Sequence, residues 1–248
     1  MLAIIGGTGL TRLKNLQISH RQVIRTPYGE PSGALTFGSI NDHHVVFLAR
    51  HGYGHTIPPH EINYRANIWA LAEQKVKRVV AVATVGGIRD DMPPGTIVLP
   101  DQLIDYTWGR KHTFFDGGDK PVTHIDFTEP YCPQLRARIL KAAKATKQKV
   151  IDGGVYAATQ GPRLETAAEI NRIADDGGHL VGMTGMPEAS LARELGISYA
   201  PISVVANWAA GRGDSKHRID LSAAEEVFLE AIERVHRILE SLVKVEHD

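Results

Sequence analysis

The chain has 248 residues, with 28 Lys plus Arg balanced by 28 Asp plus Glu. That balance gives no electrostatic case for nucleic acid or an anionic membrane surface as partner. At 43% hydrophobic and 23% charged it can bury a core unaided, and Cys132, the only cysteine, excludes an intrachain disulfide and fits a reducing compartment. The opening MLAIIGGTGL lacks the basic start of a signal peptide. No stretch approaches the ~18 uninterrupted apolar residues of a membrane span, so a soluble cytoplasmic protein is expected.

In chain order, apolar runs stopped by glycine predict strands over 2–5 and 44–49. Apolar residues at helical spacing predict a helix over 62–74. Strands are expected over 79–85 and 97–99, and an amphipathic helix over 133–146. A strand over 154–159, a helix over 165–174 and a short strand over 180–183 follow. A helix over 187–195 begins at Pro187, where the missing N–H costs nothing. A strand over 197–206 precedes a closing helix over 222–243, with Ser222 and Glu225 in capping-box spacing. The irregular stretch 109–127 reads as a surface loop and a possible lid. No linker splits the alternation, so one α/β domain with ligands at its strand ends is expected.

Those strand ends carry the chemistry. Gly6-Gly7-Thr8-Gly9 can turn successive N–H groups and a hydroxyl toward an anion, or serve as a tight turn. It matches neither the dinucleotide fingerprint nor a P-loop. Arg50 offers a planar fork suited to phosphate beside His51; a surface ion pair is the alternative. His51, His55 and His60 are separated by glycines and prolines, which is not metal-site spacing on one helix face. Ala83-Thr84-Val85-Gly86-Gly87 ends another strand. Thr184 stands where a strand passes into a helix N-terminus, a favourable place for an anion.

Taken in order, Ile4–Gly9, Leu48–Gly52, Asn63–Asn67, Gln160–Thr166 and Met183–Glu188 resemble the trimeric purine nucleoside phosphorylase and 5′-methylthioadenosine phosphorylase family over nearly the whole chain. The resemblance implies a three-layer α/β sandwich around a mixed, partly barrel-like central sheet. It also implies a homotrimer with sites near subunit interfaces, and phosphorolysis of a purine nucleoside with inorganic phosphate as co-substrate and no metal or organic cofactor. It places Thr8, Arg50, His51, Ala83, Thr84 and Thr184 at phosphate and Met183 on the ribose. The family often has Thr where this chain has Ala83.

Substrate choice turns on departures within that pattern. Methylthioadenosine phosphorylases of the family carry two aspartates where this chain has Ala206-Asn207-Trp208-Ala209. Asn207 carries both donor and acceptor, matching O6 and a protonated N7, whereas a carboxylate would repel O6. Glu165 resembles the glutamate that 6-oxopurine phosphorylases set against N1–H. A first-turn carboxylate at Glu165 and a turn residue at Asn207 are the bland alternatives. Asn207 and Glu165 are thus the catalytic base-holding pair, with Trp208 and Ala209 beside them. His124 and Leu221 would face the 5′ group, and an apolar Leu221 suits a methylthio rather than a hydroxyl group; His217 is the other possible 5′ partner. The combination points to a 6-oxopurine, 5′-methylthio substrate. A general inosine/guanosine enzyme, a methylthioadenosine enzyme and a non-catalytic nucleoside binder are the alternatives.

Overall fold

The structure, a computed structural model, describes residues 1–10, 13–117, 121–220 and 225–245. The elements are β1 (Leu2–Gly6), β2 (Gln17–Gln22), β3 (Leu35–Ile40), β4 (His43–Ala49), α1 (Tyr64–Glu73), β5 (Arg78–Gly87), β6 (Ile97–Leu99) and β7 (Gln102–Asp105). They continue with α2 (Pro133–Ala145), β8 (Ile151–Asp152), β9 (Val155–Ala158), α3 (Ala167–Asp175), β10 (Leu180–Gly182), α4 (Gly185–Glu194), β11 (Ser198–Trp208) and α5 (Glu225–Val245).

The central strands read as unbroken apolar runs because both of their faces are covered. Successive side chains alternate between two cores. Ala3, Ile5, Val46, Leu48, Val79, Ala81, Ala83 and Val85 enter one core, which includes residues of α1 and α4. Leu2, Ile4, Val45, Phe47, Val80, Val82, Ile202 and Val204 enter the other, which includes residues of α2 and α5. Helices on both faces of a sheet give the three layers that the resemblance implies.

The strands run in the order β2-β3-β4-β1-β5-β10-β9-β7, with β11 added against β5 and β6, and β8 against β6. β5 is the fork. Its first half lies parallel between β1 and β11, and its last residues pair antiparallel with β10 while β11 continues alongside. The mixed sheet therefore folds round on itself near Gly86-Gly87, its partly barrel-like portion.

Four strands went unread in the sequence: β2, whose six residues are all exposed, β3, β7 and the two-residue β8. An edge strand open to solvent lacks the apolar alternation that marks the others. Two boundary shifts bear on the site. α3 starts at Ala167, not 165, because Thr166 and Glu169 form a reciprocal capping box; Glu165 is left outside the helix. β11 runs to Trp208, past the expected end at 206, so Asn207 is a strand residue. Ser222, read as a helix cap, lies outside the described residues.

Candidate active site at the converging strand ends

The ends of β1, β4, β5, β10 and β11 meet around one cavity of about 780 Å³. It is lined by Thr8, Arg50, His51, Ala83, Thr84 and Thr184, by Met183 and Glu165, and by Asn207 and Ala209. Most of the residues singled out from separate stretches of sequence are thus brought together by the sheet.

Arg50 leaves β4 and passes beneath the loop after β1. Gly7 makes this possible: a Cβ there would stand 2.8 Å from Arg50 Nη1 and 2.7 Å from the Val82 carbonyl. The guanidinium is 1% exposed. It donates from Nε to Glu188 Oε2 at 2.7 Å, from Nη2 to Glu188 Oε1 at 2.8 Å and from Nη1 to Val82 O at 3.0 Å. Tyr199 donates to Glu188 Oε1 at 2.8 Å. Burial by itself works against the charge on Arg50, but adjacent Glu188 more than offsets this and its pKa rises. The three bonds leave one N–H on each terminal nitrogen for an anion in the cavity. Glu188 and Tyr199 were missed from sequence as site residues, since nothing in a lone Glu or Tyr marks it as fully buried.

His51 donates from Nδ1 to the Ile57 carbonyl at 2.8 Å, because a carbonyl only accepts. Burial, then the charge on Arg50, lowers its pKa to about 4. The ring is neutral at pH 7 and keeps Nε2 as an acceptor. Thr84 donates to the Thr8 carbonyl at 3.1 Å and so ties the β5 end to the glycine loop, while Thr8 Oγ1 lies 3.4 Å from His55 Nε2.

The register of β11 against β5 slips between Val205 and Asn207. Such a bulge re-aims side chains, which is why neighbours Ala206 and Asn207 both line the cavity. Asn207 Nδ2 donates to the Trp208 carbonyl at 2.7 Å. Its Oδ1 and second N–H remain for a ligand. Glu165 accepts from the Thr159 hydroxyl at 2.6 Å.

Residues 1–244 match the model of the phosphorylase superfamily. The chain belongs to that superfamily. It is 54% identical over 215 residues to a probable S-methyl-5′-thioinosine phosphorylase of Xanthomonas campestris pv. campestris, covering 87% of this chain and 86% of the relative. To the 6-oxopurine nucleoside phosphorylase of Pyrococcus furiosus it is 47% identical over 220 residues, covering 87% and 82%. Among solved structures, the methylthioadenosine phosphorylase from Schistosoma mansoni in complex with adenine superimposes with a TM-score of 0.94 at 32% identity, covering 99% of this chain and 91% of that one.

In this phosphorylase two expected contacts, those of Trp208 and His124, differ. The Trp208 ring packs on Gly213 and is not part of the cavity lining, since β11 turns it away from Asn207. His124 is exposed on the loop before α2 and does not line this chain's cavity. Arg193 holds that loop by donating to the Asp126 and Glu129 carbonyls, at 2.7 and 2.5 Å. Leu221 lies outside the described residues. Ile219 and Phe228 supply apolar lining to the cavity, and exposed His217 does not join them. The stretch after Gly109 contributes inward anchors that the lid reading missed: Phe114 enters the core, and Arg110 reaches the site. Arg110, 9% exposed, donates to the carbonyls of Met183, Met186, Thr159 and Gln160 and so braces two walls of the site. No helix among the described residues is long and apolar enough to cross a membrane.

The phosphorylase should lose stability in mild acid. An unfolded His takes up its proton near pH 6.5, native His51 only near pH 4, so between these values the unfolded state binds more protons. The His51 contribution to stability is expected to decline as pH falls through that window and to level below it. Buried His236, whose pKa is also lowered by desolvation, acts in the same direction. Urea midpoints across pH 4–8 should show a shallower slope in His51→Gln than in the parent; an unchanged slope contradicts this account.

Proposed function

We propose that the chain is an S-methyl-5′-thioinosine phosphorylase: phosphate attacks C1′, the N-glycosidic bond breaks, and hypoxanthine and 5-methylthioribose 1-phosphate form. The observation that carries the reading is Asn207 and Glu165 lining one cavity with Arg50. The name of the Xanthomonas campestris relative agrees with it, and that of the Pyrococcus furiosus relative agrees with its 6-oxopurine part.

Each part has a task. The transition state has cationic character at the ribosyl carbon and negative charge on the departing purine, so the site must hold phosphate below the sugar and bond the base as it leaves. Arg50 presents its two remaining N–H groups to phosphate. Thr8, Thr84, Thr184 and the Ala83 backbone surround it. Neutral His51 meets a phosphate through a P–OH, whose proton its Nε2 accepts. Met183 packs on the ribose. The carbonyl oxygen of Asn207 accepts from N7–H as the base takes up a proton there, and its free N–H faces O6. Glu165 accepts from N1–H.

At the 5′ end, Ile219 and Phe228 offer a methylthio group an apolar wall. Ile219→Asn is therefore expected to shift the kcat/KM ratio of methylthioinosine to inosine toward inosine by about tenfold; an unmoved ratio would take Ile219 out of the 5′ subsite. A homotrimer with sites near its interfaces is proposed on the family resemblance, and sedimentation velocity tests it. The reaction itself is tested by incubating enzyme with methylthioinosine. Hypoxanthine should appear only with phosphate, together with a sugar 1-phosphate. Binding without turnover would favour a nucleoside-binding protein instead.

A further inference from the structure

Glu165 stands between two hollows. It lines the substrate cavity and also a smaller space of about 310 Å³ bordered by Tyr106, Trp108, Arg163 and Arg172. Its position in the chain does not decide which of the two its carboxylate serves. Glu165 precedes the Thr166 cap of α3, so no helical turn fixes it. Arg163, exposed and paired with Glu169, lies within electrostatic reach of it on the side of the smaller hollow.

One group does hold it. Thr159 Oγ1 donates to Glu165 Oε1 at 2.6 Å. Thr159 lines the smaller hollow and not the substrate cavity; its hydroxyl has one further acceptor, the Gly182 carbonyl, at the longer distance of 3.4 Å. Its own position is rigid: its N–H donates to the Gly182 carbonyl at 2.8 Å, and its carbonyl accepts from buried Arg110 at 3.2 Å. A hydroxyl so placed makes a short, charge-assisted bond that fixes the carboxylate plane. Among the described residues no hydrogen bond reaches Oε2, which leaves that oxygen for a ligand.

We propose that Thr159 is a positioning residue for base recognition, its hydroxyl holding the Glu165 carboxylate toward the substrate cavity and away from Arg163. The inference rests on the reading of Glu165 as the acceptor for the base N1–H. It adds a reason why adenine is refused. A carboxylate held toward the base has only lone pairs to set against the bare N1 of a 6-aminopurine.

The test uses three variants of the whole enzyme, assayed with methylthioinosine and methylthioadenosine at saturating phosphate. Thr159→Val keeps the shape and removes the donor. It is expected to lower kcat/KM for methylthioinosine about 10- to 100-fold, the range for a hydrogen bond to a charged group. The preference over methylthioadenosine should shrink, while KM for phosphate stays within about twofold. Thr159→Ser restores the donor and should recover most of the loss; failure to recover it contradicts the proposal. A fall with both nucleosides alike, accompanied by a raised phosphate KM, would mark a structural role and overturn it. An unchanged Thr159→Val beside an impaired Glu165→Gln overturns the proposal and leaves the base reading standing. An unchanged Glu165→Gln overturns both.

Discussion

Arg50→Met is expected to abolish phosphorolysis and to lower stability by about 3–5 kcal/mol, the cost of breaking a buried ion pair from one side. The reason is the surroundings of Glu188. Its carboxylate is fully buried, and besides the Tyr199 hydroxyl its hydrogen-bond donors are two N–H groups of Arg50. Remove the guanidinium and a charge remains in the core with one neutral donor. The same change removes the guanidinium from the cavity lining. The two consequences can be separated. Arg50→Met with Glu188→Leu replaces the pair by apolar groups and should recover much of the stability, because such exchanges are often neutral. It should recover no phosphorolysis. Arg50→Lys keeps the charge but loses the fork, and should fold while its KM for phosphate rises at least about tenfold. Urea unfolding and phosphate saturation kinetics read these outcomes. A stable, active Arg50→Met enzyme would remove Arg50 from the phosphate site.

The second large effect is expected at Asn207. In the native enzyme its amide N–H donates to the Trp208 carbonyl at 2.7 Å. Asn207→Asp turns that contact into two facing oxygens and also takes away the N–H that we propose faces O6. Each lost bond is worth roughly 1–3 kcal/mol, or about 10- to 100-fold. We expect kcat/KM for methylthioinosine to fall at least ~100-fold. Methylthioadenosine, whose 6-amino group a carboxylate accepts, should fall far less, so the preference moves toward it at least ~10-fold. Steady-state assays of both nucleosides decide this, and an unmoved ratio excludes Asn207 from base discrimination.

Much of this site was legible in the sequence because its residues sit where patterns change. Thr8, Arg50, Thr84 and Thr184 follow apolar runs, and strand ends are where such sheets bind ligands. The fold was legible for the same reason at β1, β4, β5 and β11, whose two buried faces leave continuous apolar stretches. Other features depend on three-dimensional placement, which no local pattern encodes. Glu188 reads as an ordinary first-turn carboxylate of α4 and is in fact the buried partner of Arg50. Arg110 sits in a stretch with no periodicity and reads as loop, yet it braces two walls of the cavity. Trp208 was placed in the pocket by its nearness to Asn207, but the bulge in β11 turns only its neighbours inward. Glu165 reads as the first residue of a helix that in fact begins two residues later, at Ala167, and that delay frees it to meet Thr159.

We propose that this phosphorylase selects a 6-oxopurine and a 5′-methylthio group together. The most direct test is kcat/KM for methylthioinosine, inosine and methylthioadenosine, measured with one enzyme preparation at saturating phosphate. The account predicts methylthioinosine well above both others: above methylthioadenosine through Asn207 and Glu165, and above inosine through the apolar wall of Ile219 and Phe228. A kcat/KM for methylthioadenosine or inosine equal to or greater than that for methylthioinosine would contradict it.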